Sequence, residues 1–165
     1  MLPLGSIIDP GYKIALFFHI VAVVVAFGPT FGYGFFFSVA PQFPRATPAI
    51  ISGVQRVDRY LVTPGMVVLL IAGIVLLATS DDAWGNSDFF VVWGWIAIIA
   101  LFALQHGFFR PQVRKAKGLA ERDLECGDTL SSEFQALGQR IGQVGTLAGV
   151  LVVVTIFFMV YKPFM

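Results

Sequence analysis

The stretch FFVVWGWIAIIALFALQHGFF, residues 89–109, decides the fold class of this chain. It carries no Lys, Arg, Asp or Glu. A helix of about 20 apolar residues crosses a hydrocarbon core of about 30 Å, so the stretch is long enough to span a membrane. Because backbone amides in lipid must be hydrogen-bonded within their own segment, it predicts a transmembrane helix.

Three further runs have the same character, at residues 14–39, 61–80 and 141–161. The 165-residue chain is 57% hydrophobic and only 13% charged, whereas soluble domains carry about 25% charged residues. The sequence therefore predicts an all-α protein, a four-helix transmembrane bundle that forms a single transmembrane domain over residues 1–165.

The basic residues predict how the bundle is oriented. Nine of the 11 lie in the connections that follow the first and third spans, whereas DDAWGNSD (81–88), between the second and third spans, has none. Cytoplasmic loops are enriched in Lys and Arg. We therefore expect a bacterial inner-membrane protein with both basic loops in the cytoplasm and both termini outside. The nine residues are Arg45, Arg56, Arg59, Arg110, Arg114, Lys115, Lys117, Arg122 and Arg140.

The first basic loop contains a helix signal of its own. Thr47 is a suitable N-cap and Pro48 a suitable first helical residue. Apolar residues then recur at helical spacing and form a stripe along one side: Ile50, Val54, Val57 and Leu61. Arg56 and Arg59 lie largely outside this stripe. This pattern predicts a short amphipathic helix on the inner membrane face. Thr63-Pro64 repeats the cap signal and is expected to start the second span.

The second basic loop is a run of mixed charge. Asp128 is a candidate N-cap for a helix that continues into the fourth span. The single Cys126 cannot form an internal disulfide. Glycines recur within the first, third and fourth spans and allow close helix packing; they include Gly28, Gly32, Gly34, Gly94, Gly107, Gly142, Gly145 and Gly149.

His19 and His106 are the two imidazoles in the apolar spans. Counting from the outer ends of their spans, His19 lies about 10 Å deep and His106 about 25 Å deep, because a helix rises about 1.5 Å per residue. Axial ligands of one haem lie at similar depth, so each is a separate candidate haem ligand. Alternatively, each is a packing residue, with His106 bonded to a backbone carbonyl near the inner interface. No Asp or Glu lies within a predicted span, which argues against proton-coupled transport.

Copper is another candidate ligand, since soft Cu(I) sites combine Met, Cys and His. Met66 is expected to share the inner depth with His106, and Met159 the outer depth with His19. Each pair contains a single methionine. The sequence therefore predicts copper binding less strongly than haem binding.

The chain also resembles known proteins. Four stretches carry the resemblance, and they occur in this order: HIVAVVVAFGPTFGYGFF, VDRYLVTPGMVVLLIAGIVLL, WGWIAIIALFALQHGFFRP and FMVYKPF. They resemble small bacterial four-helix membrane proteins of unknown function, which look related to HemJ, the membrane protoporphyrinogen oxidase, and to the membrane domain of CopD copper-resistance proteins. His19, His106-Gly107 and the terminal Lys162-Pro163-Phe164 match the HemJ pattern. The resemblance implies haem b and oxidation of a porphyrinogen.

These patterns support three functional interpretations. The first is a non-catalytic packing or accessory subunit of a homo-oligomer or larger membrane complex. The second is a haem-b protein that uses His19, for electron transfer or porphyrinogen oxidation, and the third is a copper-handling protein. The expected surroundings are the lipid bilayer and not nucleic acid, because the net charge is only +1.

Overall fold

The computed structural model describes residues 10–80, 85 and 87–163. Four of its helical segments are long and apolar enough to cross a membrane, which confirms the predicted transmembrane architecture. The α-helices are α1 (Pro10–Val39), α2 (Thr47–Val57), α3 (Thr63–Ala78), α4 (Phe89–Leu104), α5 (Arg110–Cys126) and α6 (Ser132–Tyr161).

Two π-helical turns join these helices into longer rods. The turn Asp58–Val62 connects α2 to α3, and the turn Gln105–Phe109 connects α4 to α5. The α3 helix does begin at Thr63-Pro64, but Thr63 makes no capping hydrogen bond and the backbone stays helical through residues 57–63, so the expected helix start within a loop is absent.

Proline explains where both turns occur. Pro64 and Pro111 are each the second residue of the helix that follows a π turn. A helical proline lacks an amide hydrogen and crowds the carbonyl four residues earlier. Those carbonyls belong to Tyr60 and Gly107, inside the wider turns, so the wider turn accommodates the ring without ending the helix.

The closest approach between spanning helices joins α1 to α3. Ala26 has no exposed surface and lies against Gly65, where an added Cβ would come within 3.1 Å of the Ala26 backbone nitrogen. Small residues thus allow close packing, as predicted. Of the glycines expected to allow packing, Gly149 receives the Phe31 ring of α1 and Gly94 receives Met159 of α6, whereas Cβ atoms at Gly28 and Gly34 would meet open space.

The two basic connections fold against each other. The predicted amphipathic helix is present as α2, and its buried side chains Ile51 and Val54 pack with α5 and the start of α6. Ala116 and Phe134 are fully or almost fully buried in the same core. The apolar side of α2 therefore faces protein, and the helix continues into α3.

Ser131, not Asp128, caps α6. The Ser131 hydroxyl accepts a hydrogen bond from the Phe134 amide at 3.3 Å. Asp128 instead forms an exposed ion pair with Arg45. The Ser131 amide donates to Asp123 at 2.8 Å, which fixes the path of the chain between α5 and α6.

The bundle has two different ends. We call the end where α1 begins and α6 finishes the terminal end, and the end that carries α2 and α5 the loop end. Most of DDAWGNSD, at residues 81–84 and 86, lies outside the described residues.

Candidate functional site

A cavity of about 620 Å³ lies between α1, α3, α4 and α6 toward the terminal end. Leucine, isoleucine, valine and aromatic side chains form most of its wall. A smaller set of side chains contributes polar or polarisable atoms: Tyr12, His19, Trp95, Thr155, Met159 and Lys162. Pockets that bind small molecules and cofactors have this composition and have volumes of about 300–1,000 Å³.

His19 enters the cavity from α1. Its ring lies against Gly73 of α3, where an added Cβ would come within 3.5 Å of the imidazole Cε1. The His19 Nδ1 atom is shielded from solvent and has no hydrogen-bond partner of normal geometry; the backbone of Leu69 is the polar group near the ring. Buried ring nitrogens are normally hydrogen-bonded. Nδ1 faces α3, 3.7 Å from the position of a Cβ at Gly73, so the ring has to rotate before this nitrogen can bind a ligand.

Met159 enters the same cavity from α6. Its terminal methyl group occupies the space beside Gly94 of α4, where a Cβ would collide with it. Gly73 lies five residues before the end of α3 and Gly94 five residues after the start of α4. Each glycine is therefore about 7 Å from its helix end. The imidazole and the thioether thus lie at one level of the bundle.

Thr155 lines this cavity and is held by a hydrogen bond from Trp93 of α4. The Trp93 indole nitrogen donates to the Thr155 hydroxyl at 3.0 Å, and that hydroxyl donates to the Leu151 carbonyl at 2.7 Å. Phe158 packs edge-on against Trp93, with ring centroids 5.1 Å apart. These contacts join α4 to α6 and fix the position of the turn of α6 that carries Met159.

His106 lies at the loop end, in the second π turn. Its Nδ1 is 3.1 Å from the Phe102 carbonyl oxygen, and its ring stacks on Phe102 with centroids 4.3 Å apart. Met66 is buried between α1 and α3. Neither residue lines the cavity that contains His19 and Met159.

Asp58 is a buried carboxylate that the sequence analysis missed. It begins the first π turn, and its side chain accepts hydrogen bonds from Gln105 and, at 3.1 Å, from Arg110. Asp58 precedes the predicted span at residues 61–80, so no carboxylate lies within that span, but the continuous helix Pro44–Ala78 does bury one. Asp58 and Gln105 each stand six residues before the proline that follows a π turn. That repeated spacing was a signal in the sequence.

A second cavity, of about 380 Å³, lies nearer the loop end between α1, α4 and α6. Tyr33 lines it, and the Tyr33 hydroxyl is buried without a hydrogen-bond partner. The lining includes neither histidine. This cavity therefore contains a phenol but no imidazole ligand.

Comparison with known families agrees with this architecture. Residues 13–163 match a family described as "Predicted integral membrane protein (DUF2269)". The chain belongs to the DUF2269 family. The match includes His19, Met159 and nearly all of the described helices, and four of the helical segments could span a membrane. This DUF2269 protein is therefore an integral membrane protein in contact with the lipid bilayer. No curated protein and no solved structure matches it.

Proposed function

We propose that this protein binds haem b in the cavity at the terminal end, with His19 as the iron ligand, and carries electrons within the membrane. The observation that carries the proposal is the imidazole of His19, which lines an apolar cavity of about 620 Å³ and whose Nδ1 has no hydrogen-bond partner of normal geometry. A neutral imidazole nitrogen is a common haem ligand. The resemblance of the chain to HemJ is consistent with this proposal.

Met159 is the proposed second donor. His and Met together ligate haem in electron-transfer cytochromes and raise the reduction potential. Gly73 and Gly94 lack the Cβ atoms that the imidazole and the thioether methyl group would otherwise meet, so both donors pack directly against a helix backbone in the wall of the cavity. Bound there, haem b supplies a one-electron redox couple, while the apolar wall excludes water and orients the macrocycle.

We propose electron transfer rather than porphyrinogen oxidation. Oxidation of a porphyrinogen releases protons, which a carboxylate beside the substrate could accept. Among the described residues that line the cavity, none is Asp or Glu. Asp58 lies at the loop end and is occupied by Gln105 and Arg110.

The absorption spectrum of protein purified from haem-replete cells tests the proposal. We expect a Soret band in the wild-type protein and its loss in His19→Phe. The matched control is His106→Phe, which removes the other imidazole and should keep the band. Met159→Leu should retain haem and lower its midpoint potential, because a thioether ligand stabilises ferrous iron. A colourless wild-type preparation contradicts the proposal.

Copper is a second candidate ligand for the same cavity. His19 and Met159 lie at one level, and imidazole and thioether are suitable Cu(I) ligands. The described residues contain no cluster of three or more His, Cys, Asp or Glu, so a copper site depends on this pair rather than on Met66 and His106. Iron and copper analysis of one preparation distinguishes the two candidates.

A packing role in a larger assembly has independent support from α6. Only 6% of the residues in its most apolar 18-residue stretch are buried within the chain. Gly142 and Gly145 are partly exposed at the edge of the second cavity, where added Cβ atoms would meet open space, and small residues at such positions let another helix approach. We infer that α6 packs against a second copy or another membrane subunit.

Cysteine crosslinking in membranes tests this role. In a Cys126→Ser background, Gly145→Cys should form a disulfide-linked dimer if α6 packs against a second copy, whereas Phe17→Cys on the exposed side of α1 should not. A crosslink to another protein would identify a larger complex. Equal crosslinking at both positions contradicts a specific interface.

We infer a bacterial inner-membrane location, with the loop end in the cytoplasm and both termini outside. The concentration of Arg and Lys at the loop end supports this orientation.

A further inference from the structure

The large cavity at the terminal end has exposed aliphatic side chains on two of its helices. Ile20 and Val24 of α1 line the cavity and are 55% and 64% exposed. Ile156 and Val160 of α6 also line it and are 44% and 79% exposed. All four lie within the apolar runs at residues 14–39 and 141–161, so their exposed surfaces face the hydrocarbon of the bilayer. We call these four residues the rim.

Helical periodicity places the rim on the side where α1 and α6 face each other. Successive helical residues are about 100° apart, so residues two positions apart lie on nearly opposite faces. Val24 is two positions from Ala26, which lies against Gly65 of α3. The rim residues of α6 are each two positions from Phe158, which packs on Trp93 of α4. The rim therefore points away from α3 and α4 and lies between α1 and α6.

The same two helices are in close contact nearer the loop end. The Phe31 ring of α1 lies beside Gly149 of α6, where an added Cβ would come within 3.0 Å of it. Phe27 and Val152 line the cavity next to this contact, and both are buried. Toward the terminal end, α1 and α6 have the exposed rim in place of such a contact. The cavity is therefore closed toward the loop end and open to lipid between these helices.

We propose that haem b enters the cavity sideways from the bilayer, through the rim between α1 and α6. This inference rests on the proposed function and names the route by which the ligand reaches His19. The rim side chains are aliphatic and the macrocycle of haem is apolar, so neither has to be exposed to water during passage. Val160 lies one residue before the end of α6, so the haem carboxylates stay at the membrane boundary. A partner helix at Gly145 would meet α6 about 16 Å nearer the loop end than Ile156.

The rate of haemin uptake by apoprotein in liposomes tests this route. Haemin added to the liposomes dissolves in the bilayer, and growth of the Soret band reports its binding at His19. Ile20→Trp and Ile156→Trp each place a larger side chain on the rim, and we expect about tenfold slower uptake in both variants, as a small added barrier predicts. Release of haemin to an excess of a soluble haem-binding protein should slow by the same factor, because a barrier on the route changes both rates and leaves the affinity unchanged. An unchanged final Soret band shows that each variant is folded.

The matched control is Ile71→Trp on α3. Ile71 is 55% exposed, as Ile20 is, but it does not line the cavity, so this variant should keep the wild-type rates. Unchanged rates in both rim variants, or equal slowing by Ile71→Trp, would overturn the route and leave the haem site standing. Slower uptake with unchanged release would also contradict the route, because it would place the effect on the bound state. If the wild-type protein binds no haemin, the route fails together with the proposed function.

Discussion

The Nε atom of Arg110 lies 3.1 Å from Oδ2 of Asp58 and ties together the two helices that contain π turns. Gln105 donates to the other oxygen of the same carboxylate. The α3 and α4 helices make few direct contacts with each other, so this polar link joins the two rods next to the apolar contact between α2 and α5. It lies at the loop end, and the large cavity lies toward the terminal end.

Removing the Asp58 carboxylate should destabilise the fold. Asp58→Ala leaves Gln105 without its acceptor and Arg110 without its counter-ion, and we expect the free energy of unfolding to fall by about 1–3 kcal/mol. The effect should fall below that of a fully buried pair because the Arg110 side chain is 43% exposed. Reversible unfolding of the purified protein in detergent measures it.

Asp128→Ala is the control for this substitution. Its pair with Arg45 is exposed on both sides, and pairs of this kind contribute about 0–1 kcal/mol. Equal destabilisation by both variants would mean that burial adds nothing to the Asp58 link.

Gly65→Ala should weaken the contact between α1 and α3. The new methyl group would lie about 3.1–3.2 Å from backbone and Cβ atoms of Ala26, which is too close without separation of the helices. We expect a loss of about 1–3 kcal/mol, typical of overpacking. Denaturation in detergent measures this change.

Gly28→Ala on the exposed side of α1 is the matched comparison, since its Cβ would meet open space. Alanine favours a helix over glycine by up to about 1 kcal/mol, so this variant should be neutral or slightly stabilised. A Gly65→Ala protein as stable as Gly28→Ala would exclude the close contact.

Ser131→Ala should destabilise the start of α6. The substitution removes the hydroxyl that accepts from the Phe134 amide, and loss of an N-cap costs about 1 kcal/mol. Ser131→Asp retains an acceptor and should recover most of the stability. Thermal unfolding of the wild-type, Ser131→Ala and Ser131→Asp proteins measures their order of stability. If Asp128→Ala destabilised the protein more than Ser131→Ala does, Asp128 would be the cap of α6.

Cys126 allows the orientation to be measured without new cysteines. It is the single cysteine in the chain and the exposed last residue of α5, at the loop end. With that end in the cytoplasm, a membrane-impermeant maleimide should leave Cys126 unmodified in intact cells and modify it after permeabilisation. Mass spectrometry of the purified protein detects the adduct. Complete labelling of intact cells would reverse the proposed topology.

The sequence by itself determined the class of the protein and the approximate position of its spanning helices. Runs without charge, such as residues 89–109, have no stable alternative in lipid to a helix whose amides bond internally. The two imidazoles were also visible as candidate ligands, because they interrupt otherwise apolar runs. Composition and local hydrogen bonding are enough for these inferences.

Only the tertiary structure decided which side chains meet. In the sequence, Asp58 lies in the connection between the first two predicted spans. In the structure, a π turn that does not break the helix brings Asp58 into contact with Gln105, 47 positions away. His19 and Met159 share a cavity because Gly73 and Gly94 lie at one level of two neighbouring helices. Apolar periodicity constrains the length of each span but not its rotation or its partners. Those depend on packing between helices, where a single glycine or a buried carboxylate decides the contact.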